Sequence, residues 1–156
     1  AKKIGFKYTS MDNLLKKSDI ITLHVPYNNK TRHLINERAI KKMKNGVILV
    51  NTSRGGIINT DSLVDGLKDK KIAGVGLDVL EEEECIKEER QLLTERIKKE
   101  CNLKTILENH ILMKMDNVII TPHNAFNSKE ALQRILDTTI QNIQAFIKKH
   151  PKNIVR

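Results

Sequence analysis

Four short apolar runs rich in β-branched residues recur along the chain, with helical patterns between them. They are Ile20–Val25 (IITLHV), Val47–Asn51 (VILVN), Ile72–Val79 (IAGVGLDV) and Asn117–Thr121 (NVIIT). This alternation constrains the fold more than any other feature. Three of the runs are nearly continuous, as expected for strands buried on both faces of a parallel sheet. A helix at Met11–Lys17 leads into the first run. A second at Asn36–Met43 stops at Asn45-Gly46, the residue types of a left-handed cap. Thr60 is placed to cap a third, running to Asp69 with Leu63, Val64 and Leu67 inward. The order strand–helix–strand implies right-handed crossovers and an α/β fold with a Rossmann-like, doubly wound parallel sheet.

After Asp78 the rhythm changes. Residues 81–116 are highly charged, with helices expected at Ile86–Glu100 and Thr105–Met113. That is long for a crossover and reads as an insertion over one edge of a site. The last helix is the clearest. Asn127 with Glu130 suits a capping box, and Leu132, Ile135, Leu136, Thr139, Ile140, Ile143, Phe146 and Ile147 form a stripe expected to face a core. His150-Pro151 ends it.

A complete dinucleotide-binding fold needs an opening strand, a GxGxxG turn and an acidic residue about 20 positions later. The 7 glycines never show that spacing after an opening strand. The expected organisation is therefore the C-terminal half of such a domain over 1–126, with 84–116 as the insertion, then a terminal helix and tail over 127–156.

The formal charge of +9, from 28 basic and 19 acidic residues, raises nucleic acid as a partner. The positions argue against it. Lys41, Lys42, Lys68, Lys70, Lys148 and Lys149 sit near helix C-termini, where cations offset the macrodipole. Aromatic residues at 3% leave few stacking platforms. No membrane span is expected, because no apolar run reaches ~18 residues. Cys85 and Cys101 match neither a disulfide framework nor a CxxC pair, so they are expected as thiols of a cytoplasmic protein. No histidine or cysteine spacing suggests a metal.

In an open parallel sheet, ligands bind outside the carboxyl ends of the strands. Arg54, with Gly55-Gly56 beside it, follows the second run; Asp78 and Glu81–Glu84 follow the third; His123 follows the fourth. An arginine fork can grip a carboxylate through two hydrogen bonds. A histidine titrates near neutrality and exchanges a proton with a substrate oxygen. A nearby carboxylate favours its charged form. Together they describe a site for a small anion with an adjacent oxygen that gains or loses a proton.

The segments HVPYNNKTRHLIN (24–36), GVILVNTSRGGIINTDSLVDGLKDKKIAGVGLDVLEEE (46–83) and NVIITPHNAF (117–126) resemble the D-isomer-specific 2-hydroxyacid dehydrogenases. Phe126 and the long stretch between Glu83 and Asn117 resemble the D-lactate dehydrogenases within that family. The resemblance implies reversible hydride transfer between NADH and a 2-oxo acid such as pyruvate, in a homodimeric parent protein of which this chain is a portion. It implies Arg54 as the substrate-carboxylate ligand, His123 as the acid/base and Glu83 as the carboxylate that raises the histidine pKa. It also implies NAD contacts at Val25, Pro26, Thr31, Thr52, Ser53, Arg54 and Asp78. A second expectation is a non-catalytic, corepressor-like protein that binds NAD on the same fold. Retention of Arg54, Glu83 and His123 together favours the enzyme.

Overall fold

The computed structural model describes residues 4–86 and 101–154. They divide into two compact units, 1–122 and 123–156. The first contains α1 (Met11–Lys17), β1 (Ile20–Leu23), α2 (Glu37–Lys42), β2 (Val47–Asn51), α3 (Thr60–Lys68), β3 (Ile72–Leu77), α4 (Leu103–Met113) and β4 (Val118–Ile120). The four strands lie side by side in chain order, and all three pairings are parallel. The sheet is that of a Rossmann-like α/β fold.

Burial in the strands alternates, which departs from the two-sided burial expected of them. Ile21, Leu23, Val47, Leu49, Val75 and Leu77 join one cluster with Leu15 of α1, Ile40 of α2, Leu63, Val64 and Leu67 of α3, and Leu112 of α4. The intervening residues Ile20, Ile48 and Ile119 are exposed. Helices α1 to α4 thus supply their buried side chains to one face. That is the arrangement of half a doubly wound sheet, where successive right-handed crossovers in one direction lie on one side.

Several helix ends are set one residue away from the expected position. Asn59, not Thr60, caps α3, its side chain accepting the Ser62 N–H. Gly46 does adopt a left-handed φ of 79°, but in the turn beyond the α2 cap Met43, where its N–H donates to the Lys71 carbonyl. The helix expected at Ile86–Glu100 lies, apart from Ile86, outside the described residues. Cys85 and Cys101 form a disulfide, correcting their reading as free thiols and removing the thiol argument for a reducing compartment. The chain returns to begin α4 beside the turn it left, so cysteines distant in sequence meet. Closing a loop of 16 residues contributes about 3 kcal/mol in the chain-entropy account.

Where α4 crosses α3, Lys104 Nζ lies 2.7 Å from Asp61 Oδ1 and 3.5 Å from Glu108 Oε1. Burial, and then the hydrogen-bonded Asp61 carboxylate, push the Glu108 pKa up from its ordinary 4.5, whereas hydrogen bonding to Lys104 holds Asp61 down. A carboxyl group with a raised folded-state pKa holds its proton longer when folded than when unfolded. Stability therefore falls as pH rises from about 4.5 through the raised value. Glu108→Gln, which cannot titrate, is expected to remove that decline, so that the urea midpoint rises more, or falls less, from acid to neutral pH than in the unaltered protein. Retention of the full decline in the variant would place its origin elsewhere.

The second unit holds α5 (Lys129–Ile147). Its cap is Ser128, which accepts the Ala131 N–H, rather than the expected Asn127–Glu130 box. The apolar stripe expected to face a core is exposed, reaching 74% at Phe146. A single helix has no second layer of its own against which to bury such a face. Among the described residues, no helix is long and apolar enough to cross a membrane.

Candidate functional site at the carboxyl edge of the sheet

Because β1, β2 and β3 are parallel, the residues that follow them emerge along one edge. Asn51, the wholly buried last residue of β2, organises the turn that carries Arg54. Its Oδ1 accepts the Ser53 N–H at 3.1 Å, and its Nδ2 donates to the Arg54 carbonyl at 3.0 Å. Its own carbonyl accepts the Asp78 N–H at 2.9 Å, tying the β2 and β3 exits together. The sequence signal for this role is the asparagine two residues before a turn serine, the spacing of an Asx turn.

Of the residues expected to contact a cofactor, most are engaged in shaping the edge. The Ser53 hydroxyl donates to the Val25 carbonyl at 2.5 Å. The Thr31 hydroxyl donates to the Pro26 carbonyl at 2.6 Å and accepts the Asn28 N–H at 2.9 Å. Thr52 is exposed. Asp78 is only 4% exposed, and its Oδ1 accepts the Thr121 hydroxyl at 2.5 Å from the β4 exit.

Arg54 is exposed and donates from Nη1 to the Ser53 carbonyl at 2.7 Å. Glu83 opens a single 3-10 turn, Glu83–Cys85, and its Oε2 accepts the Leu80 N–H at 3.2 Å. Arg54 and the whole acidic run Glu81–Glu84, Glu83 included, line one cleft of about 250 Å³. Tyr27 and Arg32, absent from the expected site, line it too, so two guanidinium groups face an acidic turn there. Backbones close its floor: a Cβ on Gly55 would lie 2.0 Å from the Leu80 carbonyl carbon and oxygen. His123 follows Pro122 at the start of the second unit, with a left-handed φ of 52°. An open groove of about 490 Å³ between α2 and α3 lies at the other end of the strands, beside Asn45, Lys70 and Lys71. It is remote from the edge where such sheets bind ligands.

A parallel α/β sheet with a cleft at its carboxyl edge is the arrangement of a ligand-binding Rossmann-like α/β domain. Residues 1–125 match the family model described as D-isomer specific 2-hydroxyacid dehydrogenase, NAD binding domain, and the chain belongs to that family. It is 40% identical over 148 residues to the D-specific alpha-keto acid dehydrogenase of Enterococcus faecalis, covering 94% of this chain and 43% of that protein. It is 39% identical to the glyoxylate reductase of Thermofilum pendens, over 92% of this chain and 36% of that protein. Among solved structures it is similar to the D-lactate dehydrogenase of Aquifex aeolicus, complexed with NAD and lactic acid. There the TM-score is 0.77 with 42% identity, covering 96% of this chain and 43% of that one. The chain thus spans less than half the length of these relatives.

Proposed function

We propose that this chain is the nicotinamide-side portion of an NAD-dependent D-2-hydroxyacid dehydrogenase that reduces a 2-oxo acid such as pyruvate to the D-2-hydroxy acid. The observation that carries the reading is one cleft lined by Arg54 from the β2 exit and by the acidic run Glu81–Glu84, which holds Glu83, from the β3 exit. Membership of the family supports it. The division of the chain expected above, 1–126 and 127–156, and a homodimeric full-length protein belong to the same proposal.

The edge fits the nicotinamide half of such a cofactor. A buried Asp78 carboxylate at the β3 exit can accept from a carboxamide, and exposed Thr52 and Pro26 follow β2 and β1 along the same edge. Val25, Thr31 and Ser53 hold that border in shape through the bonds described above. The bound cofactor supplies the hydride. Arg54 grips the substrate carboxylate with its guanidinium fork and orients the neighbouring carbonyl. His123 delivers the proton that the carbonyl oxygen takes up as the hydride reaches the carbon. Glu83 is the third member of the proposed catalytic set.

The test is turnover by the full-length protein. With NADH and pyruvate, NADH fluorescence is expected to fall in step with D-lactate formation, and glyoxylate and branched 2-oxo acids rank the substrate preference. Tight NADH binding with no turnover of any 2-oxo acid would instead establish the non-catalytic, corepressor-like reading.

A further inference from the structure

Glu81 lies two residues before Glu83, and its side chain is only 15% exposed, a rare state for a carboxylate without partners. Its Oε1 lies 2.5 Å from His33 Nε2. Its Oε2 accepts the Thr60 hydroxyl at 2.7 Å and the Thr60 N–H at 3.2 Å. Its main-chain oxygen accepts Asn109 Nδ2 at 2.8 Å, from a wholly buried residue of α4. One residue thus ties the acidic turn to the β1–α2 loop, to the start of α3 and to α4.

His33 is held at a second point. Its N–H donates to the Gly56 carbonyl at 2.8 Å, within the turn that carries Arg54. The links close a ring: Glu81 carboxylate to His33 imidazole, His33 N–H to Gly56 carbonyl, and Gly55 against the Leu80–Glu81 backbone. Between Glu81 and Glu83 stands Glu82 in left-handed conformation at φ 54°, which a non-glycine residue holds only where its surroundings over-determine it. Glu82 Oε2 accepts the Asn102 N–H at 2.7 Å from the far side of the turn.

We infer that Glu81 is a positioning residue that fixes the Arg54 turn and the Glu83 turn relative to each other through His33. Its catalytic meaning rests on the dehydrogenase reading above. A carboxylate suits the place because it offers acceptors only: Oε2 takes both Thr60 donors, and Oε1 accepts from His33 in its Nε2–H tautomer. An amide at the same place has one acceptor oxygen for Thr60 and turns an N–H toward His33, which must then give up its Nε2–H.

The test uses Glu81→Gln and His33→Ala in the full-length protein, with hydrogen exchange and kinetics read together. Each variant is expected to speed amide exchange about tenfold or more in both 54–56 and 80–84. Each lowers kcat/KM for the 2-oxo acid about tenfold to a hundredfold, as misplacement of a substrate ligand does, and leaves NADH affinity unchanged. The double variant is no worse than the more severe single, because both changes cut one ring. Faster exchange confined to 80–84, parallel loss of NADH affinity, or unaltered kcat/KM overturns the inference. If Glu81→Gln does not fold, His33→Ala opens the same ring and decides. If the unaltered protein reduces no 2-oxo acid, the dehydrogenase reading falls, and the exchange footprint alone upholds or defeats the link.

Discussion

On the proposed function, replacing His123 by Ala in the full-length protein is expected to lower 2-oxo acid turnover about 10²–10⁴-fold while NADH affinity stays unchanged. That range is the contribution of a positioned acid/base to proton transfer. Imidazole is the one side chain whose ordinary pKa lets it both hold and release a proton near neutrality. His123 follows the last strand of the sheet by three residues, and its left-handed backbone is uncommon for a residue with a Cβ. The kinetic form of the loss matters as much as its size. A group that acts in the transition state lowers kcat and kcat/KM together, whereas a binding group raises KM alone. Stopped-flow measurement of NADH oxidation with saturating pyruvate distinguishes them. Turnover within the normal range in the alanine variant would remove His123 from the mechanism.

Gly55→Ala produces the second large effect, this time on stability. The new methyl would lie 2.0 Å from the Leu80 carbonyl carbon and oxygen and 2.3 Å from the Glu81 nitrogen. All three are backbone atoms, so no rotamer change relieves the clash, and one of the two turns must move. Overpacking of this kind costs about 1–3 kcal/mol or more. The displacement also separates Arg54 from Glu83, so kcat/KM for the 2-oxo acid falls with it. Gly76→Ala is the control, because its Cβ would meet only Val50 methyls at 3.9 Å. It is expected to lie within about 0.5 kcal/mol of the unaltered protein. Urea denaturation that finds the two variants equally stable would show that the 55–80 approach is not tight in solution.

Much of the fold is legible locally. Met11–Lys17 and Val47–Asn51 have the bounds their patterns suggest, because hydrophobic period and flanking polar residues lie within a few positions. Strands β1 and β3 stop two residues short of their apolar runs, since pairing ends where the chain leaves its neighbour. At Val25 the backbone oxygen is instead taken by Ser53. The α3 cap is misplaced by one residue for a similar reason. Thr60 looks like a cap, yet its hydroxyl is engaged by Glu81, 21 positions away.

The candidate site divides along the same line. The rule that parallel strands present their carboxyl ends to a ligand suffices to select Arg54 and the run Glu81–Glu84, which line the cleft; only the family resemblance singles out Glu83 within the run. Tyr27, Arg32 and the Glu81–His33 link escape it because they come from loops whose course depends on the turns they meet. The acidic run Glu81–Glu84 is uniform in sequence, but its members diverge in space: Glu81 turns toward His33 and Thr60, Glu82 toward Asn102, and Glu83 caps the Leu80 N–H beside the cleft.

By itself, then, the sequence determined the strand–helix order, the parallel sheet and the edge on which chemistry-bearing residues gather, because those follow from periodicity and chain direction. Only the tertiary structure decided which carboxylate of the acidic run serves as a strut. It also joined Cys85 to Cys101. Each of these depends on which distant segment approaches, and no pattern confined to a few neighbouring residues encodes that.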